Sequence, residues 1–415
     1  MLASAPVAYR QMTTKPLADV SVLELSTMIA GPYAGQLLGD LGADVVKLER
    51  PETGELARSL EPRVGGAAGE SFYYLTANRN KRSLALDVTT DEGRELFLEL
   101  VEAADVVLEN FPPTFTDRYD IGYETAREHN EQIVYCSISA YGETGPYREF
   151  PGIDTTVQAL GGAMSMTRDG DSGPMRSGVP MNDVFAALYA VQGILTALYA
   201  RDRTGEGEFV DVSLLDAGLA GLTTRATYSF ATGEPYPPFG RRHNYFAPEG
   251  VYEVADGAVQ LSVVTDRHWR AFCEAVDAPA LAADERFAEV NERVANREAL
   301  EAELTAVLER WDASDLVAAL REAGVPAAPI NDTVSVWDDP QVEARQMRRT
   351  LDHPTAGEVE TLGFPVKYER AEPSVDRHPP RLGEHSRAVL EEVGLDDTAI
   401  ERLVAAGVVG ELDEA

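Results

Sequence analysis

The stretch "VSVLELSTMIAGPYAGQLLGDLGADVVKLE", residues 20–49, decides the fold. "VSVLEL" (20–25) is a short, nearly continuous apolar run, the pattern of a strand covered on both faces. "AGPYAGQLLGDLG" (30–42) changes to helical spacing with small residues at its start, and "ADVVKLE" (43–49) is a second strand. Strand, helix and strand in about 30 residues make a βαβ crossover, so the two strands run parallel.

The pattern propagates along the chain. "SLALDV" (83–88) leads into "TTDEGRELFLELVEAA" (89–104), where Thr89 or Thr90 offers a helix cap, and "DVVLEN" (105–110) follows. "IVYCSISAYG" (133–142) adds a strand, and "GEFVDVSLLDAGLAGL" (207–222) runs from strand into helix. Successive crossovers of this kind predict an α/β domain with a twisted parallel sheet and helices on both faces. At 415 residues the chain exceeds one core, and its texture changes near Pro235. A hairpin with the turn "ADG" (255–257) and three amphipathic helices predict a smaller α+β domain over 226–330. The first part of the large domain is expected at 1–225. The tail, 331–415, reads as a strand and helices whose domain membership periodicity leaves open.

Composition restricts the function. Lys+Arg total 36 against 70 Asp+Glu, a formal net charge of −34, and lysine occurs only at Lys15, Lys47, Lys81 and Lys367. An acidic surface stripped of lysine suits a salt-rich cytoplasm, where the Debye length shrinks to about 3 Å. It disfavours nucleic acid and anionic membranes as partners. Cys136 and Cys273 lack metal-ligand spacing, and residues 1–19 lack a signal peptide's apolar run, so a reduced, cytoplasmic protein is expected. The apolar run Val184–Ala200 is shorter than the ~20 residues of a membrane span and reads as a buried helix.

Several chemistries are excluded by motif. G-x-G-x-x-G, a P-loop, H-E-x-x-H and G-x-S-x-G are all missing, and the histidines at 129, 243, 268, 353, 378 and 385 are scattered, so no metal site is expected. Cations are scarce and clustered. "KLER" brings Lys47 and Arg50 to a strand end, and "NRNKRS" brings Arg79, Lys81 and Arg82 to the start of another strand. Strand ends of a parallel sheet are where ligands bind, and a polyphosphate there needs positive charge. The alternative for each cation is an ordinary ion pair with a nearby acid. Asp183, in "SGVPMNDVFAAL" (177–188), stands at the mouth of the long apolar helix. Aspartate is a favoured cap there, and a carboxylate held charged at a helix start can also act as base or nucleophile.

Taken in order, "LELSTMIAGPYAGQLLGDLGADVVKLERP", "NRNKRSLALDV", "ADVVLENFPP", "ALGGAMSMTRDG", "SGVPMNDVFAAL" and "LGEHSRAVLEEVGL" resemble the class III (CaiB/BaiF-type) CoA-transferases, from about Ala18 to Val409. The resemblance implies a Rossmann-like large domain built from both chain ends and a small middle domain. It also implies an interlocked homodimer and coenzyme A bound as an acyl-CoA co-substrate, with no metal. By position it gives Asp183 as the catalytic aspartate, Arg50 as a CoA-phosphate ligand, and Asn110, Arg118 and Tyr141 as lining residues of the CoA or acid site. Lys47, Arg79, Lys81 and Arg82 are added to the cofactor-binding set from charge alone.

Departures narrow the activity that the resemblance implies. The formyl-CoA:oxalate subgroup carries glutamine where this chain has Ile29 and lysine where it has Ser139, and "GRRHNYFAPEG" (240–250) replaces that subgroup's glycine run. The racemase subgroup carries a histidine where this chain has Ile153, which cannot move a proton. A transferase is favoured, moving CoA from succinyl-CoA to a dicarboxylate such as mesaconate, malate or citramalate. Arg241, Arg242 and His243 are candidates for the second carboxylate, against the alternative of pairing with nearby acids. The competing functions are a racemase-type CoA-thioester isomerase and a non-catalytic CoA-binding protein.

Overall fold

The computed structural model describes residues 15–168, 172–238 and 240–412. Its first crossover is β1 (Ser21–Leu25), α1 (Ala30–Asp40) and β2 (Asp44–Glu49). It continues with β3 (Lys81–Leu86), α2 (Asp91–Ala103), β4 (Val106–Glu109), α3 (Pro113–Tyr119) and β5 (Val134–Ser139). Next come α4 (Asp154–Leu160), α5 (Met181–Thr204), β6 (Glu208–Ser213) and α6 (Leu214–Gly221). The six strands pair in parallel in the order β3-β2-β1-β4-β5-β6, with Leu23 opposite both Val46 and Val107. This is the doubly wound order, in which the chain reverses direction across the sheet between β1 and β4.

Alternation along the strands explains why both faces are covered. Leu23, Val107 and Tyr135 point to one face, where Phe97 and Leu100 of α2 meet them. Val22, Val106 and Val134 point to the other, under Leu38 of α1 and Ile194 of α5. Thr90 caps α2 by accepting from the Gly93 amide, one of the two caps expected.

The described chain divides into two units. One comprises the chain up to Gly161, then Gly178–Thr223, then Gln341 onward; the other comprises Gly162–Ser177 and Thr224–Pro340. The boundaries differ from those read in the sequence, the second unit resuming at Thr224 rather than at 226. Residues 162–177 join the second unit, and that unit runs on to Pro340. Within it, β7 (Glu249–Val254) and β8 (Gly257–Ser262) form the hairpin. The helices α7 (Asp266–Ala275), α8 (Arg297–Leu308) and α9 (Ala313–Glu322) follow, and β9 (Ala327–Pro329) completes an antiparallel sheet. Trp269, Phe272, Phe287 and Leu304 fill this unit's core.

The tail belongs to the first unit. After the hairpin β10 (Arg348–His353) and β11 (Gly357–Leu362) come α10 (Ser386–Glu392), α11 (Asp397–Ala405) and β12 (Val409–Gly410). Leu390 and Leu403 of these helices enter the core under α2, and β12 pairs antiparallel with β3.

The long helix α5 differs from its sequence reading. Its stripe of Ala186, Ala187, Ala190, Ile194 and Ala197 packs on α1 and the sheet, but Leu188, Tyr189 and Tyr199 are exposed. One face is buried rather than the whole circumference. By length and composition α5 also suffices to cross a membrane, and its small residues are what allow close packing on the sheet.

Candidate active site

A cleft of about 230 Å³ opens at the carboxyl ends of β1, β2 and β3, beside the point where strand order reverses. Ser26, Thr27, Arg50, Glu55 and Phe111 are among the residues that form its walls. Parallel sheets place ligands there because successive loops diverge and leave a crevice. Arg50 follows β2 directly and is exposed, with no carboxylate partner among the described residues. Arg118 on α3 is likewise exposed and without a carboxylate partner among them, its guanidinium 5.3 Å from the centre of the Tyr119 ring. A phosphate is the natural complement of an arginine that no carboxylate neutralises.

Asn110 lies at the same edge but faces the protein. It accepts from the Thr27 amide and donates to the Thr27 carbonyl, both at 2.8 Å, and so fastens the β1–α1 connection. Tyr141 is half-buried after β5, its ring edge-on to Tyr147 at 5.7 Å. Its hydroxyl crowds Gly152 so closely that a Cβ there would lie 2.9 Å from it.

The other cations selected by charge are all paired with acids, three of them, Lys47, Arg79 and Lys81, inside the protein, which goes against the expectation of a phosphate cluster. Lys47 is wholly buried and its ammonium lies 3.0 Å from both Glu24 and Glu55. Lys81 is buried against Glu24 at 2.7 Å, and Arg79 against Asp40 at 2.6 Å. Arg82 bridges Asp44 and Glu392. Lys47 and Lys81 lie within β2 and β3, whose faces are both covered, so a charge there must find a partner inside the protein. Burial alone would lower the Lys47 ammonium; the charges of Glu55, Glu24 and Glu49 outweigh it and keep the group protonated. Burial prevails at Lys81, lowering it to about 8 despite Glu24.

Asp183 is the third residue of α5, whose N-cap is Pro180. The capping role expected for it is therefore not the one it has. Its carboxylate is mostly enclosed and receives no hydrogen bond among the described residues. Burial raises its pKa to about 7, and the neighbouring charge of Asp154 adds to the effect. Asp154 begins α4. It accepts the Asn182 amide at 2.9 Å and the Gln158 side chain at 2.7 Å, tying α4 to the first turn of α5. The Tyr73 phenol completes the group: burial, then the charges of Asp183, Asp154 and Glu55, raise its pKa and keep it a hydrogen-bond donor.

This arrangement has a direct chemical meaning. A carboxylate without hydrogen bonds, largely withdrawn from water at a helix N-terminus, is a reactive nucleophile once ionised. Its reaction rate should therefore rise as pH passes upward through about 7. Asp154→Asn removes the second cause of the shift, and the inflection in a kcat/KM–pH profile should move to lower pH. An unmoved inflection would show that the titrating group lies elsewhere.

Arg241, Arg242 and His243 belong to the second unit. Arg241 pairs with Glu253, and Arg242 lies 2.6 Å from Glu301 and over the Tyr252 ring at 4.1 Å. The His243 carbonyl accepts from Arg297 at 2.7 Å. Both arginines thus carry the acid pairs that were the alternative to a substrate clamp. Among the described residues no group of three or more His, Cys, Asp or Glu side chains is placed to hold a metal.

Tyr73, Asp154 and Glu55 were not singled out from the sequence. Asp154 carried a faint signal in "GIDTT", an acid opening a helix; Tyr73 lies in the five-residue helix Phe72–Thr76 and Glu55 just before the single turn Leu56–Ser59, both too short to show a period.

Comparison with known proteins places this geometry in a family. Residues 17–386 match the model of CoA-transferase family III. The chain is 42% identical over 388 residues to a succinyl-CoA:mesaconate CoA-transferase of Haloarcula marismortui, covering 92% of this chain and 97% of that one. It is 38% identical over 382 residues to a succinate–glutarate CoA-transferase of Agrobacterium fabrum, covering 91% and 96%. Among solved structures, a CaiB/BaiF family protein from Brucella suis superposes with a TM-score of 0.83 at 39% identity, covering 91% and 99%. The chain therefore belongs to CoA-transferase family III and is a CoA-transferase.

Proposed function

We propose that this enzyme transfers CoA from succinyl-CoA to a C4 or C5 dicarboxylate, with mesaconate the first choice, through a thioester on Asp183. The observation that carries the reading is the enclosed, raised-pKa carboxylate of Asp183 at the start of α5. The substrates follow the relative named succinyl-CoA:mesaconate CoA-transferase, which matches this chain over nearly its whole length.

Asp183 attacks the succinyl thioester carbonyl, forming a mixed anhydride and expelling the CoA thiolate. The thiolate then attacks the aspartyl carbonyl of the anhydride, leaving aspartyl-CoA and releasing succinate. The acceptor carboxylate attacks aspartyl-CoA, giving a second anhydride and thiolate. The thiolate attacks the acceptor's acyl carbon, forms the new acyl-CoA and returns Asp183 as carboxylate. No proton is consumed, and the thioester's free energy is retained only if water stays out. Burial of Asp183 thus serves the chemistry although it raises the pKa. Arg50 and Arg118, without carboxylate partners, serve the CoA phosphates, while Asn110 holds the cleft wall and Tyr141 borders the acid. Tyr73 donates to the bound carboxylate or the anhydride oxygen.

The working form is an interlocked homodimer in a salt-rich cytoplasm. The exposed Leu188, Tyr189 and Tyr199 on α5 support a covered face, and the net charge of −34 supports the salt.

Incubation with succinyl-CoA and mesaconate tests the activity. Succinate and mesaconyl-CoA should appear in equal amounts, with little free CoA. Solvent deuterium entering the acyl α-carbon without any acceptor acid would instead establish an isomerase, and unaltered thioester would establish a binding protein.

A further inference from the structure

Two of the chain's four lysines lie completely buried beneath one short segment, residues 26–32, which leads from β1 into the first turn of α1. Lys47 donates to the Ser26 carbonyl at 2.7 Å, and Lys81 to the Pro32 carbonyl at 2.8 Å. Asn110 holds both backbone groups of Thr27. Glu55 accepts the Met28 amide at 2.7 Å and is itself paired with Lys47 at 3.0 Å. Gly31 allows the turn to fold on itself, since a Cβ there would lie 2.4 Å from that of Ser26.

Met28 has φ of +68°, a left-handed conformation that a side chain disfavours. A charge-assisted bond from its N–H to a carboxylate offsets that cost and holds the turn in one shape. The segment matters because Ser26, Thr27 and Glu55 all line the cleft. Burial raises the pKa of the Tyr73 phenol, and the charges of Asp183, Asp154 and Glu55 add to it, so the pinning carboxylate and Asp183 act on one and the same group.

We propose that Glu55 is a positioning residue of CoA transfer: by pinning Met28 it fixes the adjoining Ser26 and Thr27 wall of the cleft and excludes water from the acyl intermediates. The inference rests on the aspartyl-CoA reading above. When the wall loosens, water competes with the acid or thiolate. It attacks the aspartyl-CoA or anhydride carbonyl and releases free CoA and succinate, with Asp183 returned as carboxylate.

The test is Glu55→Asp, which keeps the charge opposite Lys47 but withdraws the oxygen from Met28. The ratio of succinyl-CoA hydrolysis to transfer should rise by about tenfold, the effect of one lost hydrogen bond to a charged acceptor. Amide exchange in the 26–31 peptide should quicken while the thermal midpoint stays near wild type. A role confined to the ion pair predicts the reverse: Glu55→Asp behaves as wild type in both readouts, and that result overturns the proposal. Should Glu55→Asp fold poorly, Glu55→Gln is measured in the same way, because its amide cannot serve Met28 and Lys47 together. Rapid exchange of the 26–31 peptide in the wild-type enzyme would overturn the proposal without any variant. Aspartyl-CoA trapped on wild-type Asp183, together with an unchanged hydrolysis ratio in the variant, would sink this inference alone. Failure to trap it in wild type would sink the underlying reading.

Discussion

Replacing Asp183 by asparagine is expected to lower kcat for CoA transfer by about four orders of magnitude, the scale on which loss of a catalytic nucleophile is usually felt. Asparagine has the same shape, so α5 should start as before. Asp183 receives no hydrogen bond among the described residues, and its burial raises its pKa to about 7; removing the charge therefore relieves a desolvation cost. Stability should stay level or rise while activity disappears. Binding of succinyl-CoA, measured by calorimetry, should survive within a few-fold, because Arg50 and Arg118, proposed above to hold the CoA phosphates, lie just beyond β2 and on α3. Joint loss of binding and stability would assign Asp183 a structural role instead.

The second large effect concerns stability. Glu24→Ala removes the carboxylate shared by Lys47 and Lys81, leaving two buried ammonium groups with reduced compensation. Breaking a buried pair by deleting one partner costs about 3–5 kcal/mol, since the remaining charge is neither solvated nor fully neutralised. Glu55 still faces Lys47, but among the described residues Lys81 retains as hydrogen-bond partners the Pro32 carbonyl and the Asn78 side chain. The loss should appear as a lower denaturant midpoint with unchanged slope. A shift within the ±0.5 kcal/mol typical of surface substitutions would mean that water reaches this cluster.

These two residues also show what the sequence could reveal and what it concealed. The sheet was legible because β1, β2 and β4 are short apolar runs separated by helical spacing, and parallel crossovers leave little topological choice. Asp183 stood out by contrast, an acid before a long apolar helix, although pattern alone favoured a cap and the helix in fact begins at Met181. The cations were misread for a physical reason. Scarcity marked Lys47 and Lys81 as important, but a linear pattern does not say which way a side chain points. "DVVKLE" places Lys47 between Val46 and Leu48, in a strand covered on both faces, so it turns inward to Glu24 and Glu55. Arg50, one residue beyond the end of β2, escapes that constraint and faces the cleft. Tyr73 and Asp154 are linked to Asp183 only through tertiary structure, and Asp154 left no more in the sequence than the faint mark of an acid opening a helix.

The most direct measurement is mass spectrometry of the enzyme after brief incubation with succinyl-CoA, followed by borohydride or hydroxylamine. Reduction or hydroxamate formation confined to the peptide bearing residue 183, and missing from Asp183→Asn, is the predicted result. An unmodified peptide in an enzyme that turns over its substrates would contradict the account.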